Sequence, residues 1–114
     1  DVSDGGLAVA LSECCILSSK GANIQIEENN TRKDNILFSE GGSRIIFSLN
    51  KEEELNFLKF LKIKSNDFGN NVYVKQIGFV SEQYLDITLQ NKTMCNLKVD
   101  QLSEKFNNSI SSYF

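Results

Sequence analysis

Helical apolar spacing at both ends, β-branched and alternating runs between them, and the absence of any internal repeat predict an α+β fold: a single layered domain, one mixed β-sheet with helices packed against it. At the start, Leu7, Leu11, Cys14 and Leu17, with Ala10 among them, keep helical spacing through LAVALSECCILSS. Ser3 or Asp4 can cap that helix, and Gly21 follows its end. NIQIEE then places Ile24 and Ile26 on one face of a short strand. NNTRKDN is polar and reads as loop. ILF makes a short apolar turn, a Gly-Gly break follows, and the β-branched RIIFSL reads as a second strand.

Asn50 and Glu53 have the spacing of a capping box, with acidic residues filling the first helical turn behind Asn50. The helix that follows carries Leu55, Phe57, Leu58 and Leu61 and is expected to end near Lys62 to Ser65. In NVYVKQIGFV, Val72, Val74 and Gln76 alternate with Tyr73, Lys75 and Ile77, so at least part of it is strand. YLDITLQN and TMCNLKV read as two more strands around a turn at Asn91-Lys92. Asp100 can cap a last helix, whose Leu102, Phe106, Ile110 and Tyr113 recur at spacings of 4, 4 and 3.

The 114 residues suffice for one domain, 1–114, with a core of its own. A 40% hydrophobic and 24% charged composition is ordinary for a soluble globular chain. The net charge of −3, with lysines and arginines dispersed, offers no footprint for nucleic acid and no attraction to an anionic membrane. No apolar run approaches the roughly 18 residues of a bilayer span, and no signal-peptide pattern heads the sequence. Cys14, Cys15 and Cys95, odd in number and without framework spacing, read as reduced core thiols of a cytoplasmic protein. With no Cys-x-x-Cys and no His in the chain, no metal ligand set is expected, and no catalytic residue is assigned. The first residue is Asp and the single methionine is Met94, so a domain excised from a longer protein is expected.

Two Gly-Gly sites carry the chemistry. In DVSDGGL, Gly5 and Gly6 stand where loop turns into helix; glycine there admits positive φ and close approach of a ligand. The first helical N–H groups lack intrahelical partners and face the positive end of the dipole, which suits phosphate or carboxylate. A side chain at Gly6 would obstruct such a ligand. The same residues also fit a tight turn before a capped helix, and the spacing matches neither G-x-G-x-x-G nor the Walker pattern. In FSEGGSR, Glu40 and Arg44 flank Gly41, Gly42 and Ser43. Arg44 offers a planar fork for phosphate or carboxylate, with Glu40 to orient it; equally, a Glu40–Arg44 pair can brace the turn from within.

In this order, DVSDGGLAVALSECCI followed by LFSEGGSRIIFSL closely resembles the C-terminal domain of phosphoribosylformylglycinamidine synthase. That family typically shows H-D-V-S-D-G-G-L and then L-F-G-E-G-G-S-R. Ser39 stands where the family usually has Gly, and the resemblance continues through QIGFV and YLDITL. It implies a fold like the C-terminal domain of aminoimidazole ribonucleotide synthetase. It further implies a parent ligase that makes formylglycinamidine ribonucleotide from formylglycinamide ribonucleotide, ATP and glutamine-derived ammonia.

The implied parent uses ATP and magnesium, while this domain holds no cofactor of its own. Its partners are sister domains and a glutaminase subunit or domain, and the isolated domain is expected to be inactive. Family residues for ATP, magnesium and the catalytic His lie mostly upstream. The cleft-facing positions carried over are therefore Asp1, Ser3, Asp4, Gly5, Gly6, Glu40, Gly41, Gly42, Ser43 and Arg44, lining a catalytic or an auxiliary cleft. The two glycine turns are expected to meet at one edge of the sheet. The alternatives are a domain of the selenophosphate synthetase or thiamine-phosphate kinase type, or a ferredoxin-like interaction module. The excised surface is expected to expose apolar residues in NVYVKQIGFV and around Phe38.

Overall fold

A computed structural model describes residues 1–28, 30–69 and 71–111. The chain divides into two compact units, Asp1–Ile46 with Ile77–Phe114, and Phe47–Gln76.

The first unit is α+β, as its sequence pattern predicts. Its four-stranded mixed sheet has the order β2-β1-β3-β4, with β1 spanning Gly21–Ile26, β2 Gly78–Ser81, β3 Tyr84–Leu89 and β4 Lys92–Lys98. β1 runs parallel to β3 and antiparallel to β2, and β3 pairs antiparallel with β4. The parallel register brings Ala22 opposite Leu85, Ile24 opposite Ile87 and Ile26 opposite Leu89. All six side chains are buried, with Leu89 at 0% exposure and Leu85 at 1%. Burying a Leu or Ile side chain of this kind contributes about 2 kcal/mol, so these three rungs are the spine of the fold. The alternate residues Asn23, Asp86 and Thr88 are half-buried and Gln25 is exposed, so the other face of the central strands is polar.

Helices close the apolar face. Helix α1, Gly6–Ser18, buries Leu7, Ala10, Leu11 and Cys15 and packs against α2 (Lys33–Phe38), β1 and the last helix, α4 (Val99–Ser111). Its N-cap is Gly5, at φ 81, and neither Ser3 nor Asp4 caps it through a side chain. Ser19, at φ 54, takes the left-handed C-cap position, and Gly21 already belongs to β1. A short helix α2, Lys33–Phe38, occupies part of the stretch expected to be loop and apolar turn. Arg32 chelates Asp34 through two hydrogen bonds, at 2.6 and 3.1 Å, which holds the Asp34 carboxyl below its ordinary pKa; Ile36 and Leu37 are buried. Six residues are too few for a helical period to show in sequence.

RIIFSL is not a strand. Its residues 44–46 belong to the first unit, where Arg44 O accepts from Val2 N–H at 2.9 Å, and 47–49 to the second. β-Branched residues favour a pleated, half-buried surface, and among the described residues no strand pairs with this stretch to supply one. Strand character in NVYVKQIGFV is confined to Gly78–Ser81, extended by one bond from Gln25 N–H to Ile77 O. The β3–β4 turn lies at Gln90 and Asn91, one residue earlier than expected, and both take positive φ, 49 and 62, as a tight hairpin requires. α4, Val99–Ser111, begins one residue before Asp100, which sits in the first turn where the dipole favours an acid. Tyr113, the end of the expected stripe, lies outside the described residues.

The second unit starts from an exposed Phe47 whose ring lies 4.7 Å from that of Phe57. A 3₁₀ turn at Lys51–Glu53 leads into α3, Glu54–Phe68. Asn50 opens this run through its carbonyl, which accepts from Glu53 N–H at 2.9 Å; no side-chain cap forms, so the expected capping box is absent. α3 continues past Ser65 because the stop is Gly69, at φ 65, in the left-handed C-cap position.

Candidate functional site

The N-terminal segment is held against the loop that follows α2. Val2 is 2% exposed, and its N–H donates to Arg44 O. Gly5 N–H donates to Glu40 Oε1 at 2.9 Å, and Gly6 N–H to Ser3 O at 3.2 Å. The two glycine turns, 35 residues apart from Gly5 to Glu40, therefore lie side by side. Glu40 faces the start of α1. Asp1, Ser3 and Asp4 are exposed on the same segment.

The glycines of the two turns differ in what they answer to. A Cβ on Gly6 would stand 2.7 Å from the Phe38 backbone and 2.8 Å from Leu37 O, and φ is +75. One on Gly5 would meet Val9 Cγ2 at 2.6 Å, at φ +81. The end of α2 fills the space beside Gly6 that the sequence reading left for a ligand, so this glycine serves the packing of α1 on α2. Gly41 and Gly42 are otherwise: neither has positive φ, the nearest atom to a Cβ on Gly41 is Ser39 Oγ at 4.0 Å, and nothing lies within 4 Å of one on Gly42. Positive φ in that loop falls on Ser43, at 65.

Arg44 braces its own loop. Its Nη2 donates to Ser39 O at 2.5 Å and to Ser39 Oγ at 3.4 Å, and its Nε to Gly41 O at 3.4 Å. Among the described residues no ion pair joins Glu40 to Arg44; each charge has another partner. Ser39 adopts φ −68, ψ 136, a conformation open to any residue, and supplies two of the oxygens that hold Arg44. Among the described residues no acceptor takes the N–H groups of Gly41, Gly42 or Ser43, which are all exposed. What residue-type reasoning missed is the tie from Gly5 N–H to Glu40 across 35 residues, for which the chain carries no local signal.

Of the three cysteines expected in the core, Cys15 is buried and Cys95 half-buried, but Cys14 is exposed: adjacent residues on a helix point about 100° apart, so only one of the Cys14-Cys15 pair can face the core. Burial pushes the Cys15 thiol up, helped by Cys14 and Cys95 nearby, and burial likewise raises Cys95. Among the described residues no group of three or more His, Cys, Asp and Glu is placed to hold a metal ion, and no helix is long and apolar enough to cross a membrane. A shallow groove along α4 and β4 is lined by Leu97, Gln101, Glu104, Lys105 and Asn108, none of them from the glycine turns. Phe38, Val72, Tyr73, Val74, Phe79 and Val80 are exposed.

Residues 1–85, which hold both glycine turns, match the family described as AIR synthase related protein, C-terminal domain. The chain belongs to this family. It is 78% identical over 114 residues to the phosphoribosylformylglycinamidine synthase subunit PurL of Prochlorococcus marinus subsp. pastoris (strain CCMP1986), covering 100% of this chain and 15% of that protein. Identity to the subunit of the same name is 73% in strain MIT 9515, with the same coverage. In strain MIT 9313 it is 37% over 111 residues, covering 96% of this chain and 14% of the relative. The chain thus spans about 15% of the length of these curated relatives. No solved structure matches it. For this AIR synthase-type domain, the mixed sheet with helices on its apolar face is the α+β architecture the sequence predicts.

Proposed function

We propose that this domain is the C-terminal domain of a phosphoribosylformylglycinamidine synthase. In this reading the parent is a cytoplasmic ligase of purine biosynthesis that uses ATP and magnesium. It converts formylglycinamide ribonucleotide and glutamine-derived ammonia to the formylglycinamidine product. The observation that carries the proposal is full-chain identity of 78% to a subunit bearing that name. ATP, magnesium and the catalytic His belong, in this reading, to sister domains, and a glutaminase subunit or domain delivers the ammonia. The domain contributes one wall of a phosphate-lined cleft, catalytic or auxiliary. Support comes from the two glycine turns meeting along Gly5–Glu40 and Val2–Arg44. Alone it is inactive, because positioning and charge stabilisation in phosphoryl transfer need the opposite wall as well.

The test is ATP-dependent conversion of formylglycinamide ribonucleotide, with ammonia as donor, by the full-length subunit that carries this chain. Activity is expected in the full-length protein and none in residues 1–114. A full-length subunit unable to convert this substrate, or turnover by the domain alone, would overturn the reading.

A further inference from the structure

No described residue of Phe47–Gln76 is buried, and only Phe57, Leu61 and Ser65 are half-buried. These three stand four residues apart, along a single stripe of α3. The apolar residues of the helix do not stop at that stripe. At about 100° per residue, Leu55 and Leu58 lie to one side of it and Phe60 and Ile63 to the other. All four are exposed, Leu55 at 71%. A helix apolar on every side belongs inside a larger protein body or a bilayer. Among the described residues no helix is long and apolar enough for the second. The first unit, by contrast, has a core of its own, with Leu85, Ile87 and Leu89 each at 2% exposure or less. Phe47–Gln76 buries too little apolar surface to offset the entropy of ordering it.

Resting on the function proposed above, we infer that α3 is an interdomain contact, covered by the remainder of the same subunit with a surface that is apolar and acidic in part. The curated relatives are several times longer than this chain, which spans 15% of them. Chain enough for such a surface is therefore joined covalently to α3. Joined surfaces meet at high effective concentration, ahead of a second copy or another subunit. The acidic part follows from the charges on the helix. Lys59 and Lys62 fall four and seven residues after Leu55, on the face that Leu55 and Leu58 share. Among the described residues no carboxylate pairs with either lysine. The complementary surface is apolar opposite Leu55 and Leu58 and carries carboxylates opposite the two lysines. α3 holds neither glycine turn, so this contact is separate from the cleft.

Hydroxyl-radical footprinting of the full-length subunit, without the glutaminase and sized by light scattering, tests this. The same side chains in the urea-unfolded subunit are the reference. Leu58, Phe60 and Ile63 should react several-fold more slowly in the folded, monomeric subunit than in urea. Rates equal to those in urea would put α3 in water and overturn the inference. Protection that appears only with the glutaminase added, or only in a dimer of the subunit, overturns it too, because another chain is then the cover. Ile63→Glu gives a second readout. At a solvent position it would leave the melting temperature unchanged, whereas under a neighbouring domain it should lower it by several degrees. Lys62→Glu should lower it by less, since the new charge would meet carboxylates; an unchanged or raised value refutes the acidic part of the surface. Footprinting needs no substrate, so a subunit inactive on formylglycinamide ribonucleotide overturns the proposed function separately from this contact.

Discussion

The chain carries Gly-Gly twice, and the two pairs do opposite things. Gly5 and Gly6 are locked in: both have positive φ, and a side chain on either would run into Val9 or the end of α2. Gly41 and Gly42 are free of both demands and stand exposed. One pair is glycine because the fold has no room; the other is glycine although the fold has room to spare. A repeated dipeptide is therefore not a repeated function. The first pair explains how α1 packs on α2, and the second directs attention outward.

Substitutions can break this contrast, and the largest effect is expected at Gly6. Gly6→Val combines a left-handed conformation, about 1–2 kcal/mol for a side chain, with overpacking against the Phe38 backbone, about 1–3 kcal/mol. Denaturant unfolding should show a loss of about 3 kcal/mol or more; a loss under 1 kcal/mol would mean that α2 shifts easily and the first pair is no more constrained than the second. Glu40→Ala removes the acceptor for Gly5 N–H and should cost about 1 kcal/mol, whereas Glu40→Gln, which keeps an oxygen there, should retain most of that stability. Equal losses in the two variants would show that charge at the helix start, not the hydrogen bond, does the holding. Arg44→Ala releases Ser39 and Gly41 carbonyls at the surface and should cost about 0.5–1 kcal/mol, with amide exchange quickened at residues 41–43. The smallest effect belongs to Gly42→Ala. With no clash and no positive φ, it should leave stability unchanged or raise it by up to about 1 kcal/mol by restricting the unfolded chain. A marked destabilisation there would erase the difference between the two pairs.

Elements with a full period and a burial partner were legible. The alternation in NIQI and YLDITL was legible residue by residue, since Ile24, Ile26, Leu85, Ile87 and Leu89 are all buried. The helix stripes were legible only in part: in α1 Leu7 and Leu11 are buried while Cys14 and Leu17 are exposed, and in α4 Leu102 is half-buried while Phe106 is exposed. RIIFSL misled because β-branched composition describes a surface that fits a sheet, not the presence of a neighbouring strand. α2 was hidden by its polar start; Ile36 and Leu37 become helical core only because α1 lies over them. At the site, the meeting of the two turns was anticipated from their order in the chain, but the roles within them were not. Arg44 reads as a ligand fork by residue type, yet its donors turn back on Ser39 and Gly41.

By itself the sequence determined the α+β class, the two glycine turns as a matched pair, and the family, because these rest on local periodicity and on motifs contiguous in the chain. Only the tertiary structure decided which glycines the fold requires and which charges are already engaged. Those questions turn on neighbours that are distant in sequence: Phe38 beside Gly6, and Glu40 at Gly5 N–H across 35 residues. Steric exclusion and hydrogen-bond satisfaction act within a few ångströms, so no pattern along the chain can report them until folding has brought the partners together.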